Sequence, residues 1–170
     1  LSSAYDMAIL TSYAMKNETY KKIVSTKKYN LKTNMNTYSW TNKNKLLRTY
    51  EYTTGGKTGF TEIARRTLVT TASKNNINLV AVTLNDGNDF NDHKSLYEKY
   101  FNNYTRIKVI DKSNNYGKNL ILKNDFYLIK KDDDKIETNV IKYDVSKAID
   151  GSIGGKVEVV LNGKVLGSRN

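Results

Sequence analysis

The sequence predicts an α+β fold in which helices pack on an antiparallel sheet, followed by a small all-β domain. Three observations carry that expectation. A capped segment with helical apolar spacing opens the chain, and a β-branched stretch folds back at Lys74-Asn75-Asn76-Ile77. Beyond residue 105, short alternating segments separated by turn residues replace the helical spacing. With 170 residues, there is room for one domain and a small second at about 100–200 residues per domain.

Ser3-Ala4-Tyr5-Asp6 reads as a capping box, with the serine hydroxyl accepting an early helix N–H and the aspartate near the positive end of the helix dipole. The helix should run on an apolar face of Ala4, Met7, Ala8, Leu10, Ala14 and Met15 to about Lys16. A second helical turn is expected over Glu18 to Val24. Short strands are expected around Lys28–Leu31 and Thr37–Trp40, and Asn42–Leu47 anchors a turn or short helix through its two leucines. Gly55-Gly56 reads as a breaker, Lys57–Thr61 as extended, and Arg66–Ser73 and Asn78–Leu84 as an antiparallel hairpin. Asparagine tolerates the positive φ that a two-residue turn between them demands. A helix should open at Asp86–Asp89 and reach about Asn103, with Phe90, Leu96, Tyr97, Tyr100 and Phe101 on its packing side. The strand segments after Arg106 are IKVID, KNLILK, DFYLIKK, ETNVIKYDV and KVEVVLNGKVLG, the last with a hairpin turn at Asn162-Gly163. The expected domains are therefore 1–105 and 106–170.

Composition removes several classes of function. Charged residues make up 26% of the chain and the mean hydropathy is −0.64; no run approaches the roughly 18 apolar residues of a membrane-spanning helix. The opening LSSAYDMAIL lacks a basic region and an initiator Met, so no signal peptide is expected and the chain reads as a mature or trimmed piece. The absence of cysteine excludes disulfides, thiolate metal sites and a cysteine nucleophile. Proline is absent too, alongside heavy use of Asn, Lys, Tyr and Ile, a bias that points to base composition rather than structure. The net charge of +11 invites a nucleic-acid reading. However, only five of the 28 basic residues are arginine, they are scattered, and no aromatic-basic reading motif is present, so no nucleic-acid partner is expected.

The motif with chemical content is Gly55-Gly56-Lys57-Thr58-Gly59-Phe60-Thr61. A phosphate-binding loop would need glycine at position 51, which is Glu51, and a helix where a strand is expected. Two readings remain from the residues: a glycine-rich hairpin end with a solvated lysine, or a strand at the edge of a cleft. In the second, Lys57 and Gly59 share a face. The ammonium then points into the site, and the missing side chain at Gly59 admits a substrate backbone. Thr58 offers a hydroxyl to an anionic carboxylate, and an extended peptide can pair with the edge as an added strand.

This run resembles the Lys-Thr-Gly element of active-site serine, penicillin-recognising enzymes. The resemblance extends to Ser2–Ala8, Ile23–Lys27, Asn42–Leu47 and the hairpin RRTLVTTASKNNINLVAVTLND, all in the order found in low-molecular-mass penicillin-binding proteins. The chain resembles the C-terminal portion of a serine-type D-alanyl-D-alanine carboxypeptidase over residues 1–105, and 106–170 resembles the family's C-terminal β-domain.

The resemblance implies part of a transpeptidase-like catalytic domain. Its function would be to remove the terminal D-Ala from peptidoglycan stem peptides through an acyl-enzyme, with β-lactams as inhibitors and no cofactor. It implies an extracytoplasmic, envelope location, membrane-associated in the full-length protein. Carried over by position, Lys57 assists proton transfer and holds the substrate carboxylate, Thr58 hydrogen-bonds that carboxylate, and Gly59 lies between them and Phe60. The Phe60 N–H is one oxyanion-hole donor. The Ser-x-x-Lys and Ser-x-Asn elements should lie N-terminal to Ser2. The chain alone is thus expected to be inactive, and the N-terminal part of the same enzyme is a natural partner.

Other matches carry less. Ser25-Thr26-Lys27-Lys28 fits Ser-x-x-Lys literally, but an extended pattern follows and on a strand residues i and i+3 face opposite ways. Ser113-Asn114-Asn115 lies in a turn and Ser168-Arg169-Asn170 at the chain end. The lone His93 is expected to be solvated, Asp132–Asp134 a solvated turn, and Trp40 with the tyrosines core or rim packing. A non-enzymatic alternative, an envelope-binding module whose basic surface holds an anionic polymer, remains open at the level of sequence.

Overall fold

The computed structural model describes residues 2–114, 122–142 and 155–169. The chain divides into two compact units, Leu1–Asn102 and Asn103–Asn170. In the first, α1 (Ala4–Ala14) begins at the expected capping box, with both reciprocal hydrogen bonds between Ser3 and Asp6 present. It stops short of Lys16, because the N–H groups of Lys16 and Asn17 turn back to Tyr13 and Ala14, the tighter bonding of a helix end. Asn17 then caps α2 (Glu18–Ser25). The expected apolar face of α1 is also corrected: Thr11 is buried with its hydroxyl donating to the Met7 carbonyl, while Leu10 is 58% exposed.

An antiparallel hairpin of β1 (Lys28–Lys32) and β2 (Thr37–Thr41) follows, then α3 (Leu46–Thr49). The sheet is a meander of β3 (Thr53–Thr61), β4 (Arg65–Lys74) and β5 (Ile77–Leu84), with β3 at one edge. The β4–β5 turn is the expected one, Asn75 and Asn76 having φ of 51° and 60°, as a type I′ turn requires. Helix α4 (Asp89–Asn103) closes the unit.

Gly55-Gly56 lies inside β3 and does not break the strand before it. The two glycines thin the strand on both faces. A Cβ at Gly55 would sit 2.6 Å from Val24 Cγ2 of α2, and one at Gly56 would meet the Val69 carbonyl and Asn44. The register of β3 against β4 shifts between Thr53 and Gly55, and Gly56 takes φ +141°, a conformation open to glycine.

The core of this unit joins Leu46 and Tyr50 of α3, Ala72, Ile77 and Ala81 of the sheet, and Tyr97 and Phe101 of α4. Tyr97 stacks between Tyr50 and Phe101. Two expectations are overturned here. Leu96 and Tyr100 point outward, about 40% exposed, and His93 is fully buried. The inward face of α4 is the row Asp89, His93, Tyr97, Phe101, each one turn on from the last. His93 Nδ1 lies 2.7 Å from the Thr70 hydroxyl, which also meets the Tyr97 hydroxyl at 2.7 Å, and His93 Nε2 is 3.2 Å from Thr83 Oγ1. Trp40 is rim and not core: it stacks with Tyr29 and Tyr38 on one face of the β1–β2 hairpin and stays half exposed.

Burial lowers the His93 pKa, against the upward pull of Asp89, Asp86 and Asp92. The neutral ring is therefore the folded form, and the unfolded chain binds the extra proton as pH falls through the ordinary histidine value of about 6.5. Stability is full above that value and falls below it, by up to about 1.4 kcal/mol per pH unit while the native ring stays neutral. Urea titrations between pH 8 and 5 should show this slope in addition to that of the carboxylates, and His93→Gln should flatten it.

In the second unit, β6 (Thr105–Ile110) pairs with β7 (Phe126–Lys130). A second sheet has β8 (Ile136–Lys142), β9 (Gly155–Leu161) and β10 (Lys164–Arg169) in the order β10-β9-β8. Its core is Ile110, Leu122, Val157 and Val159. The Asn162-Gly163 turn forms as expected, with φ of 49° and 80°. Residues 118–121 of the expected KNLILK strand, the end of ETNVIKYDV and Asn115 and Asn170 of the two Ser-x-Asn matches lie outside the described residues; Leu122 and Lys123, which end KNLILK, are not in a strand. Among the described residues no helix is long and apolar enough to cross a membrane.

Candidate functional site

The edge strand β3 borders a cleft of about 920 Å³, and Lys57, Thr58, Gly59 and Phe60 all line it. An edge strand leaves alternate backbone N–H and C=O groups unpaired on its outer side, so this stretch offers peptide-like hydrogen bonds as well as side chains. Cross-strand, Lys57 pairs with Val69, Thr58 with Leu68, Gly59 with Thr67 and Phe60 with Arg66. Lys57 is exposed and its ammonium donates to the Thr58 carbonyl. Thr58 is half-buried. At Gly59 a Cβ would strike the Thr67 hydroxyl, so any side chain there would force Thr67 to shift.

Three further elements close the cleft. Lys43, Lys45 and Arg48 come from the α3 region, Arg66 and Thr67 from β4, and Asp89 and Phe90 from the start of α4. Arg66 grips Asp89 with two bonds, Nη2 to Oδ1 at 2.6 Å and Nε to Oδ2 at 3.2 Å. The Asp89 carboxylate raises the Arg66 pKa through that hydrogen bond and its charge, and Asp89 is itself buried and accepts from the Phe90 N–H. This bidentate pair ties the end of the hairpin to the first turn of α4, where a negative charge also suits the helix dipole.

The residues before α3 alternate in role. Asn42 donates to the Thr26 carbonyl and accepts from the Asn44 N–H; Asn44, fully buried, donates to the Gly55 carbonyl and accepts from the Leu46 N–H. Both asparagines thus anchor backbone, and Lys43 and Lys45 are left exposed over the cleft. In the sequence Leu46 and Leu47 stand out as the anchor, and no motif marks these cations as sharing a cleft with Lys57. The Asn-Lys-Asn-Lys alternation was the available signal, since asparagine bonds neighbouring backbone in loops.

The other sequence matches do not converge here. Ser25 ends α2, with its hydroxyl on the Lys22 carbonyl, while Lys28 begins β1, so the two do not share a helical face. Neither Ser113 nor Ser168 belongs to the unit that holds the cleft. His93 is sealed in the core and reaches no substrate. Among the described residues no cluster of His, Asp or Glu could hold a metal ion.

Comparison with known proteins agrees with this architecture. The chain is 38% identical over 82 residues to the D-alanyl-D-alanine carboxypeptidase DacF of Bacillus subtilis (strain 168), covering 48% of this chain and 21% of that protein. It is similar in structure to a mutant of Streptomyces K15 DD-transpeptidase, with TM-score 0.56 and 29% identity over 59% of this chain and 42% of that one. Penicillin binding protein 5 from Haemophilus influenzae shares the fold, with TM-score 0.67 and 24% identity over 98% of this chain and 54% of that one. The chain thus spans about a fifth of DacF and about half of that penicillin-binding protein. Residues 1–88 match the peptidase S11 profile, a segment that includes the whole of β3 and the cationic rim of the cleft, and the chain belongs to the D-alanyl-D-alanine carboxypeptidase family.

Proposed function

We propose that residues 1–105 form one wall of the active site of a serine D-Ala-D-Ala carboxypeptidase, with 106–170 as a separate β-rich domain. The observation that carries this reading is the Lys57-Thr58-Gly59-Phe60 run on an edge strand beside a cation-lined cleft. The substrate is a peptidoglycan stem peptide lying antiparallel along β3. Its terminal carboxylate meets the Lys57 ammonium and the Thr58 hydroxyl, and its scissile carbonyl oxygen points to the Phe60 N–H. A serine supplied from outside residues 1–170 attacks the carbonyl. The peptide bond breaks, D-Ala leaves with the proton, and water hydrolyses the ester. Lys57 favours both the bound carboxylate and the proton movement, because a cation near the reacting atoms stabilises developing negative charge.

The chemistry calls on no cofactor and no nucleic acid, and β-lactams acylate the same serine. It takes place in the bacterial envelope, outside the cytoplasm, where such peptides occur, with the full-length protein held at the membrane. The exposed Tyr5, Ile9 and Tyr13 of α1 suit contact with the polypeptide that carries the serine.

A fluorescent penicillin tests this reading. The 170-residue chain should take no covalent label, whereas the full-length protein that carries Ser-x-x-Lys should label stoichiometrically. Labelling of the isolated chain would place a nucleophile among its own residues and overturn the assignment.

A further inference from the structure

Both strands of the β1–β2 hairpin are exposed along their whole length, and their alternation sorts side chains by chemistry. Tyr29 stands opposite Trp40 and Leu31 opposite Tyr38, so these four make one face, each 40–56% exposed. Lys28, Asn30, Lys32, Thr37, Ser39 and Thr41 make the other. The rings of the first face are ordered among themselves, Tyr38 parallel to Trp40 at 5.4 Å and Tyr29 stacked with Trp40 at 6.2 Å. At the tip, Met35 is 90% exposed. A two-stranded hairpin is marginally stable by itself in water, and this one is fastened at both ends. The Asn42 N–H and side-chain amide donate to the Lys27 and Thr26 carbonyls at the base. At the tip the Thr33 N–H donates to the Asn36 carbonyl, and the Thr33 hydroxyl accepts from the N–H groups of Met35 and Asn36.

Charge singles out the partner. Between Glu18 and Glu51 the chain carries eight basic residues and no acidic one. Among the described residues none of Lys27, Lys28 and Lys32 makes an ion pair. Interfaces between polypeptides are depleted of lysine. An anionic lipid surface, in contrast, takes everything this ribbon offers. Trp and Tyr rings settle at the headgroup level, a short apolar tip enters the acyl boundary, and long lysine side chains reach phosphate oxygens.

We propose that the β1–β2 hairpin docks on an anionic phospholipid surface, entering tip first with Met35 deepest and its aromatic face leaning into the interface. The contact goes beyond the carboxypeptidase reading and stands whether or not β3 is catalytic.

Trp40 is the only tryptophan of the 170-residue chain, so its fluorescence reads this face directly. The test is a titration of the chain at low salt with vesicles of equal parts phosphatidylglycerol and phosphatidylcholine. Trp40 emission should move to shorter wavelength, bromine-labelled acyl chains should quench it, and added salt should reverse both. Lys28→Gln/Lys32→Gln should weaken vesicle binding about tenfold, and Met35→Ser about fivefold. Both variants keep Trp40 and alter only exposed side chains, and circular dichroism checks their fold. An unmoved Trp40 emission, or equal binding to pure phosphatidylcholine, would overturn the proposal. So would binding that the hairpin variants leave intact and that Ile9→Ser/Tyr13→Ser in α1 removes. Emission already shifted without vesicles, in proportion to protein concentration, would assign the face to a second copy of the chain. A shift with soluble N-acetylglucosamine oligomers but not with vesicles would assign it to sugar. Either result overturns the lipid assignment.

Discussion

Lys57→Ala should lower the rate of penicillin acylation of the full-length protein by about 10²–10³, the scale on which removing one electrostatic stabiliser from a reacting centre acts. The side chain reaches the cleft from an edge strand and is exposed, so its loss leaves no cavity. The unfolding midpoint of the variant should therefore match the wild type within about 0.5 kcal/mol. Lys57→Arg should recover only part of the rate. Guanidinium keeps the charge for binding a carboxylate, but it does not give up a proton in the working range, and its planar fork does not reproduce a compact ammonium. Stopped-flow labelling with a chromogenic β-lactam reads the rate directly. An unchanged acylation rate in Lys57→Ala would remove Lys57 from the machinery.

Gly56→Ala should be the most damaging single methyl in the first unit. Its backbone sits at φ +141°, and the added Cβ would meet the Val69 carbonyl and lie 2.8 Å from Thr70 Cα. These are backbone atoms in the middle of the sheet, so no rotamer change relieves the clash. Adding backbone strain of about 1–3 kcal/mol to overpacking of similar size gives a loss of about 4 kcal/mol. For a unit of this size that lowers the melting temperature by about 20 °C. Gly87→Ala is the control: nothing lies within 4 Å of the position where its Cβ would stand, and the substitution should be close to neutral. Thermal unfolding followed by circular dichroism distinguishes the two. The same Gly56 change should also abolish labelling of the full-length protein, because Gly56 lies in the regular register next to Lys57 and a shift of the strand there moves the lysine.

The elements that sequence made legible share a physical character. The Ser3 capping box, the Asn75-Asn76 and Asn162-Gly163 turns and the β4–β5 hairpin are local: each depends on a few neighbouring residues whose φ and hydrogen bonds their own side chains dictate. The Lys57-Thr58-Gly59 run was equally visible, since strand periodicity alone places its side chains. Misreadings came where a distant partner decides. Gly55-Gly56 looks like punctuation because glycine usually marks a break; only Val24 on one face and Asn44 on the other show why a strand needs two residues without side chains there. His93 looks solvated beside Asp89 and Asp92, yet Thr70 and Thr83 supply the hydroxyls that let an imidazole enter the core. The inward stripe of α4 departs from its apolar spacing for the same reason. Two of its four inward residues are polar, and hydrophobicity scores them outward, whereas hydrogen bonds and the Arg66 ion pair draw them in.

By itself the sequence determined the α+β character, the order of the elements, the absence of any cysteine chemistry and the Lys-Thr-Gly strand with its family. All of these follow from residue type and short spacing. The tertiary structure alone decided that the cations of the α3 region stand with Lys57 around one cleft, that Asp89 is spent on Arg66, and that the lone histidine is buried. Such facts depend on which segments the fold brings together, and neither periodicity nor composition encodes the distance between residues on different elements.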